Sequence, residues 1–317
     1  MDYLINLVLL VLGFVFLIKG ADLFVDGSSS IAKLLKIPAV IIGLTIVSIG
    51  TSLPEAAVSI SASFKGAYDL SIANVVGSNI FNLLGVVGVS AFICPFVVDR
   101  VIMKRDFPIS ILAAAILAAM LIDYSLSRAE ALILFVLFVL YILLLVRSAL
   151  RNRIEAEEDY KTLSPLKSVI FVVIGIIGIV AGGTFTVDAA TFFAQALGMS
   201  ELLIGLTIVA VGTSLPELVT SVIAAKKGES EIALGNVVGS NIFNIFFILG
   251  MSGIVHPLHC DPGALIDTVL LILMSGLMFF IYKAKNKVSR PVGVLGVVIY
   301  VIYVVYIILR AYGLLPF

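Results

Sequence analysis

The sequence predicts an all-α polytopic membrane protein with ten transmembrane helices, built as two inverted five-helix repeats with both termini outside. Three observations lead there. Of the 317 residues, 61% are apolar and only 13% charged, with a mean hydropathy of +1.22; a soluble domain carries about 25% charged residues. The apolar runs break at charge clusters and Gly/Pro punctuation into segments near the roughly 20 residues that a bilayer span requires. The second half of the chain also repeats the first at a constant offset. Formal net charge is zero, so no global field points to nucleic acid or an anionic substrate.

The spans are expected at 3–25, 37–63, 69–94, 107–123, 129–147, 167–190, 202–224, 230–255, 264–282 and 291–311. The first has no positive leader and no small-residue cleavage site, so it reads as a membrane helix and not as a removed signal peptide. Connections are short except at the middle of the chain, where Arg151, Arg153, Glu155, Glu157, Glu158, Asp159 and Pro165 mark a polar linker. The expected organisation is a first repeat over 1–147, a cytoplasmic linker over 148–166 and a second repeat over 167–317. The acidic run Glu155 to Asp159 lacks the spacing of an EF-hand and reads as a hydrated linker, not a calcium sensor.

Orientation follows from the Lys/Arg bias of short loops. One side receives Lys33, Lys36, Lys104, Arg105, Lys226, Lys227, Lys283, Lys285 and most of the other cations, the other only Lys65, Arg128 and Arg310. The rich side is therefore expected in the cytoplasm. Cys94 and Cys260 then fall on opposite faces and provide no disulfide framework.

The duplication is explicit. Asn74 to Asn82 (NVVGSNIFN) recurs unchanged at Asn236 to Asn244, an offset of 162 residues, and Gly50 to Glu55 (GTSLPE) recurs at Gly212 to Glu217. Lys65-Gly66 returns as Lys227-Gly228, and Gly20 and Asp26 return as Gly182 and Asp188. Each unit holds an odd number of spans, so the second copy enters the membrane from the opposite side. Inverted repeats with broken helices meeting at the midplane are an architecture of secondary transporters.

Each GTSLPE motif places a carboxylate at bilayer depth, where a charge costs several kcal/mol and is functional by default. Pro54 has no N–H and its ring displaces the Gly50 carbonyl, so the helix is expected to break and to leave backbone oxygens around Ser48 to Thr51 free. Thr51 and Ser52 lie four and three residues before Glu55 and should share its face. Ser78 and Asn82, one turn apart, add neutral oxygens from the next span; Ser240 and Asn244 repeat them. Two carboxylates with hydroxyls, amides and carbonyls suit Na⁺, Ca²⁺ or Mg²⁺ and argue against zinc or copper. Mg²⁺ is disfavoured because it dehydrates reluctantly. One Ca²⁺ or two monovalent cations neutralise the pair, which makes competition for one site a natural exchange mechanism.

The paired GTSLPE and NxxGSNxFN motifs on an inverted repeat resemble the α-repeats of the sodium/calcium exchanger family, within the wider cation/Ca²⁺ antiporter group, and the chain resembles its compact prokaryotic members. The resemblance implies that Glu55 and Glu217 bind calcium, and that Thr51, Ser52, Ser78, Thr213, Ser214 and Ser240, with carbonyls near Ser48 and Ala210, hold sodium. It implies gate helices around Gly20 to Asp26 and Gly182 to Asp188. Some relatives, including potassium-dependent ones, carry Asp where this chain has Asn244, so no potassium requirement is expected. The expected activity is Na⁺-driven Ca²⁺ extrusion across the plasma membrane, with Ca²⁺ and Na⁺ as transported ions, no cofactor, the lipid bilayer as environment, and no obligatory protein partner. H⁺/Ca²⁺ exchange is the alternative. A channel wants weakly held sites in a continuous pore, and a hydrolase wants a midplane base that neither His256 nor His259 can supply. Those two histidines read as a solvated outer turn. Asp26 and Asp188 read as helix-end carboxylates snorkelling to the interface.

Overall fold

A computed structural model describes residues 2–151, 163–199, 207–208 and 210–315. Among the described residues the structure is helical apart from two minimal strand pairs and the connecting turns. In order, the helices are α1 (Asp2–Leu35), α2 (Ala39–Thr51), α3 (Leu53–Phe64), α4 (Tyr68–Ile93), α5 (Ile102–Asp123), α6 (Arg128–Arg151), α7 (Pro165–Ala196), α8 (Ala210–Thr213), α9 (Leu215–Lys226), α10 (Ser230–Val255), α11 (Pro262–Lys285) and α12 (Arg290–Ala311). Among the described residues, eight helices are long and apolar enough to cross a membrane, and α2 with α3, bent by 50° around Ser52, brings the number to nine when the pair is counted as one broken span. The expected seventh span, 202–224, lies partly outside the described residues, as does the acidic run Glu155 to Asp159. Helix limits recur at the sequence offset: α3 and α9 coincide at both ends, and so do α4 and α10.

Burial sorts the helices into an inner and an outer set. α4 and α10 are the most enclosed of the long helices, while α1, α6, α11 and α12 turn Leu, Ile, Val and Phe side chains outward. In lipid that exposure is the solvated state of an apolar face. The inner helices are not uniform α-helix. Tighter i→i+4 winding gives way to π-helical turns at Gly43–Val47, Asn82–Val86 and Asn244–Leu249. Such turns occur mostly at functional sites, and Asn82 and Asn244 each begin one.

α1 and α7 form the longest helix pair. Small residues recur along α1 every seven positions, about two turns, at Gly13, Gly20 and Gly27, and along α7 at Ser168, Gly175 and Gly182. The backbones close on each other there. A Cβ on Gly20 would lie 2.8 Å from the Ile179 nitrogen, and one on Gly182 would lie 2.5 Å from the Leu17 nitrogen. Close approach of this kind is how membrane helices gain packing when the lipid removes any hydrophobic drive. The same two helices cover the break motifs, since Phe24 of α1 packs on Gly50 and Val187 of α7 packs on Gly212.

The loops gather at two ends. Strand β1 (Phe96–Val97) pairs with β4 (Lys287–Val288) at one end, and β2 (Ser125–Leu126) pairs with β3 (Leu258–His259) at the other. Cys94 donates to the Ala225 carbonyl and the Cys260 nitrogen to the Tyr124 carbonyl, so the two free thiols belong to opposite ends. His256 is more than a solvated turn. Its ring stacks on Tyr68 at 4.5 Å and 11°, with Nε2 3.1 Å from the Tyr68 hydroxyl, which fixes the loop after α10 onto the start of α4.

Candidate cation site

Each GTSLPE copy ends one helix and starts the next. Ser52 leaves helical geometry at φ −85°, ψ 10°, and Ser214 does so at φ −93°, ψ 9°. Both stand at the N-cap position, where a serine hydroxyl ordinarily accepts from the backbone two or three residues on. Neither does so here. The second helical position is proline, which has no N–H to give. The third is Glu55 or Glu217, in the first turn, where the helix dipole favours a negative charge.

The freed serines reach across the molecule. Ser52 Oγ donates to Glu217 Oε1 at 2.7 Å, and Ser214 Oγ donates to Glu55 Oε1 at 2.9 Å. All four side chains are wholly buried. Ser52 therefore bonds not its own Glu55 but the glutamate of the other half of the chain, and Glu55 turns to that same half through Ser214. Ser240 supports Glu217 from a second direction, with its Oγ 3.4 Å from Oε1 and equally 3.4 Å from the Ser48 carbonyl.

The Ser48 carbonyl is not free either, since it also accepts the Ser52 N–H at 3.1 Å and lies 3.3 Å from Thr51 Oγ1. The break therefore leaves the Gly50 carbonyl, opposite Pro54, as the group that loses an amide donor. Thr51 Oγ1 also lies 2.9 Å from Asn236 Oδ1. Asn236 Nδ2 in turn reaches Ser221 Oγ at 3.0 Å and the Glu217 carbonyl at 3.4 Å. Asn74 does the same in the first half, to Ser59 Oγ at 2.9 Å and the Glu55 carbonyl at 3.4 Å. These two amides brace the helices that carry the glutamates. Ser59 and Ser221, the other halves of the braces, went unmarked in the sequence reading. Their signal was available, because they too stand at the repeat offset.

Asn79 and Asn241 serve packing. Each amide donates to the other's backbone carbonyl, at 3.0 and 3.2 Å, across the contact between α4 and α10. Asn244 Nδ2 donates to Asn79 Oδ1 at 3.0 Å. Ser78 and Asn82 are buried on α4, and Ala210 opens α8, which packs against that helix.

Among the buried oxygens without a hydrogen-bond partner in the described residues, six stand at sequence-predicted positions: Glu55 Oε2, Glu217 Oε2, Ser78 Oγ, Asn82 Oδ1, Thr213 Oγ1 and Asn244 Oδ1. A buried polar atom left unpaired costs about 1–3 kcal/mol. All six are hard oxygen acceptors of the kind that a dehydrated cation takes. Among the described residues no three His, Cys, Asp or Glu side chains converge, so neutral oxygens must make up most of any shell around one.

Comparison with known proteins bears on both halves. Residues 5–147 and 167–309 each match the family described as "Sodium/calcium exchanger protein". The chain is 41% identical over 287 residues to CaxA of Alkalimonas amylolytica, covering 86% of this chain and 90% of that protein. It is 36% identical over 318 residues to the "Sodium/calcium exchanger MaX1" of Methanosarcina acetivorans, covering 88% and 91%. Among solved structures, the sodium-calcium exchanger NCX_Mj soaked with zero Na⁺ and Ca²⁺ superposes with a TM-score of 0.84 at 33% identity, covering 96% of this chain and 99% of that one.

Proposed function

Because this chain belongs to the sodium/calcium exchanger family, a family of multi-pass cation/Ca²⁺ antiporters, we propose that it exchanges Na⁺ for Ca²⁺ by alternating access and extrudes Ca²⁺ across the plasma membrane. The observation that carries this reading is the crossed pairing of Ser52 with Glu217 and Ser214 with Glu55, which leaves one oxygen of each carboxylate without a donor. Ca²⁺ takes six to eight oxygens. The two free carboxylate oxygens, joined by Asn82, Asn244 and the hydroxyls of Ser78 and Thr213, supply a shell of that size and a charge of −2. Two or more Na⁺ would divide the same oxygens, with Thr51, Ser52, Ser214, Ser240 and the carbonyls near Ser48 and Ala210 serving the outer positions. A shell that either cargo neutralises discourages crossing while vacant, and that obliges exchange. Proton coupling would need only the two carboxylates, so the hydroxyls around them favour Na⁺.

In this reading the chain has ten spans in two inverted five-helix repeats, over 1–147 and 167–317, with 148–166 as a cytoplasmic linker and both termini outside. With asparagine at both 82 and 244 no third carboxylate is present to require K⁺.

The test is Ca²⁺ uptake into proteoliposomes under an imposed Na⁺, H⁺ or K⁺ gradient. Uptake driven by Na⁺ alone is expected, and uptake that follows only the pH gradient would replace Na⁺ by H⁺ in the scheme. Glu55→Gln and Glu217→Gln are each expected to abolish transport while the protein still reaches the membrane. Near-normal flux from either would remove the site.

A further inference from the structure

The two repeats are built from matching parts, but the parts are not in matching positions. α1 lies along α9, whereas its counterpart α7 makes no packing of that extent on α3, the counterpart of α9. The difference is reinforced by charge. Lys227, in the turn after α9, places Nζ 2.6 Å from Asp26 Oδ1 and 2.7 Å from Asp22 Oδ1 on α1. It also donates to the Asp22 carbonyl at 3.0 Å. Glu229, two residues on, accepts from Ser29 on the same face of α1. Asp26 is thus an ion-pair partner, not a snorkelling helix-end carboxylate.

At the repeat offset, Lys227 corresponds to Lys65 and Asp26 to Asp188, but Asp22 corresponds to Thr184 and Glu229 to Ala67. Among the described residues Lys65 and Asp188 make no ion pair. The asymmetry reaches the site itself. Thr51 meets Asn236, and Ser240 meets Glu217, while of their counterparts, among the described residues, Ser78 makes no hydrogen bond and Thr213 reaches Glu55 only weakly.

We propose that Lys227 with Asp22 and Asp26, and Lys65 with Asp188, are reciprocal locks on the two access states. The proposal rests on the alternating-access reading above. In the conformation described here the first lock is closed and holds α1 against α9, sealing the end of the molecule that carries β1 and β4. In the opposite state, α1 and α7 slide as one unit, Lys227 releases its two aspartates, and Lys65 takes Asp188 as α7 closes on α3. Inverted repeats supply the geometry, because each repeat adopts the conformation the other had.

The locks are unequal by sequence. The first has two carboxylates on its lysine and a serine–glutamate contact beside it, and the second has one carboxylate and neither extra contact. The pair therefore biases the empty carrier toward the conformation with the Lys227 lock closed. Burial opposes the charge on Lys227, but hydrogen bonds and attraction from Asp22 and Asp26 outweigh that and hold its pKa above the ordinary lysine value, so Lys227 stays charged. Its members are partly exposed, so each ion pair is worth a two- to fivefold change in the ratio of states, roughly the range of exposed pairs.

Spin labels on Ala67→Cys and Thr184→Cys, with Cys94 and Cys260 replaced by alanine, report the separation of α7 from the turn after α3 in the full chain in nanodiscs. Neither labelled residue belongs to a lock. The short-distance population is expected to rise roughly two- to fivefold in Lys227→Met and to fall in Lys65→Met. Asp22→Thr, which copies the second lock into the first, should give a smaller rise and serves if Lys227→Met does not fold. Lys227→Glu combined with Asp22→Lys and Asp26→Lys should restore the original distribution. Distances that ignore Lys227→Met and Asp22→Thr, or that move in the same direction for Lys227→Met and Lys65→Met, would overturn the locks. The readout is indifferent to the coupling ion. Transport driven by H⁺ would overturn the Na⁺ assignment and leave the locks standing, and Na⁺-driven transport with unresponsive distances would do the reverse.

Discussion

The crossed serine–glutamate pairs make unequal demands on the two repeats. Glu217 Oε1 has Ser52 at 2.7 Å and Ser240 at 3.4 Å, whereas Glu55 Oε1 has Ser214 at 2.9 Å as its one close hydroxyl among the described residues, with Thr213 a weaker neighbour. Ser214→Ala strips Glu55 of that hydroxyl, while Ser52→Ala leaves Glu217 with Ser240. A hydrogen bond to a charged group is worth about 1.5–3 kcal/mol, and each 1.4 kcal/mol is about tenfold in a binding constant. The bond forms without Ca²⁺ as well, so that range is a ceiling: Ser214→Ala should weaken apparent Ca²⁺ affinity by at most about 10- to 100-fold, and Ser52→Ala by less. Calorimetric titration of Ca²⁺ into the purified protein measures both. Double-mutant cycles with Glu55→Asp and Glu217→Asp, each retracting the carboxylate by one methylene, then locate the partners. Coupling is expected between Ser52 and Glu217 and between Ser214 and Glu55. Coupling of Ser52 with Glu55 instead would refute the crossed geometry and restore the same-helix arrangement that spacing alone suggests.

Gly182→Ala and Gly20→Ala each push a Cβ into the backbone of the facing helix, an overpacking cost of about 1–3 kcal/mol. Both should lower the melting temperature in detergent and slow Ca²⁺ uptake, whereas Gly276→Ala, with open space around it, should do neither. Asp106 is fully buried and pairs with Arg105 at 2.9 Å and the Tyr141 hydroxyl at 3.1 Å. Asp106→Ala should cost about 1.5–3 kcal/mol by removing the carboxylate that Arg105 and Tyr141 share, and Tyr141→Phe about 1 kcal/mol. Thermal melting would show both losses, and unchanged Ca²⁺ affinity in the surviving protein would place this cluster outside the transport site.

The fold was legible because its determinants are periodic and local. Apolar length located the eight long helices and the bent pair, and the 162-residue offset between Asn74 and Asn236 pairs the halves residue by residue, Ser59 with Ser221 included. What stayed illegible has one physical cause. Spacing along one helix places Ser52 beside Glu55, Asp26 at a helix end and His256 in an exposed turn, but says nothing of what another helix brings alongside. Their partners are Glu217, Lys227 and Tyr68, each from 165 to 201 residues away. The Ser48 carbonyl was judged free from proline chemistry, which predicts a lost amide donor correctly and is blind to hydroxyl donors arriving from Thr51 and Ser240.

A duplicated chain can treat its two halves in two ways, and this one does both. At the site it keeps them identical: GTSLPE and NVVGSNIFN recur without change. That suits one divided cation shell, which must present equivalent ligands when approached from either side. At the ends of α1 and α7 the halves differ, with Asp22 against Thr184 and Glu229 against Ala67. If both locks were equal, the empty carrier would have no preferred side and the ion gradients alone would set its resting state. Unequal locks give it a resting side without altering the shell that selects the ion. Bias and selectivity are then held by separate residues, so substitutions in Asp22 or Glu229 should shift the occupancy of states while leaving the relative affinity for Ca²⁺ and Na⁺ within one state unchanged. Ca²⁺–Na⁺ competition measured with the access state trapped by a disulfide would show this as superimposable curves for wild type and Asp22→Thr, and curves that separate would mean that the lock reaches into the site.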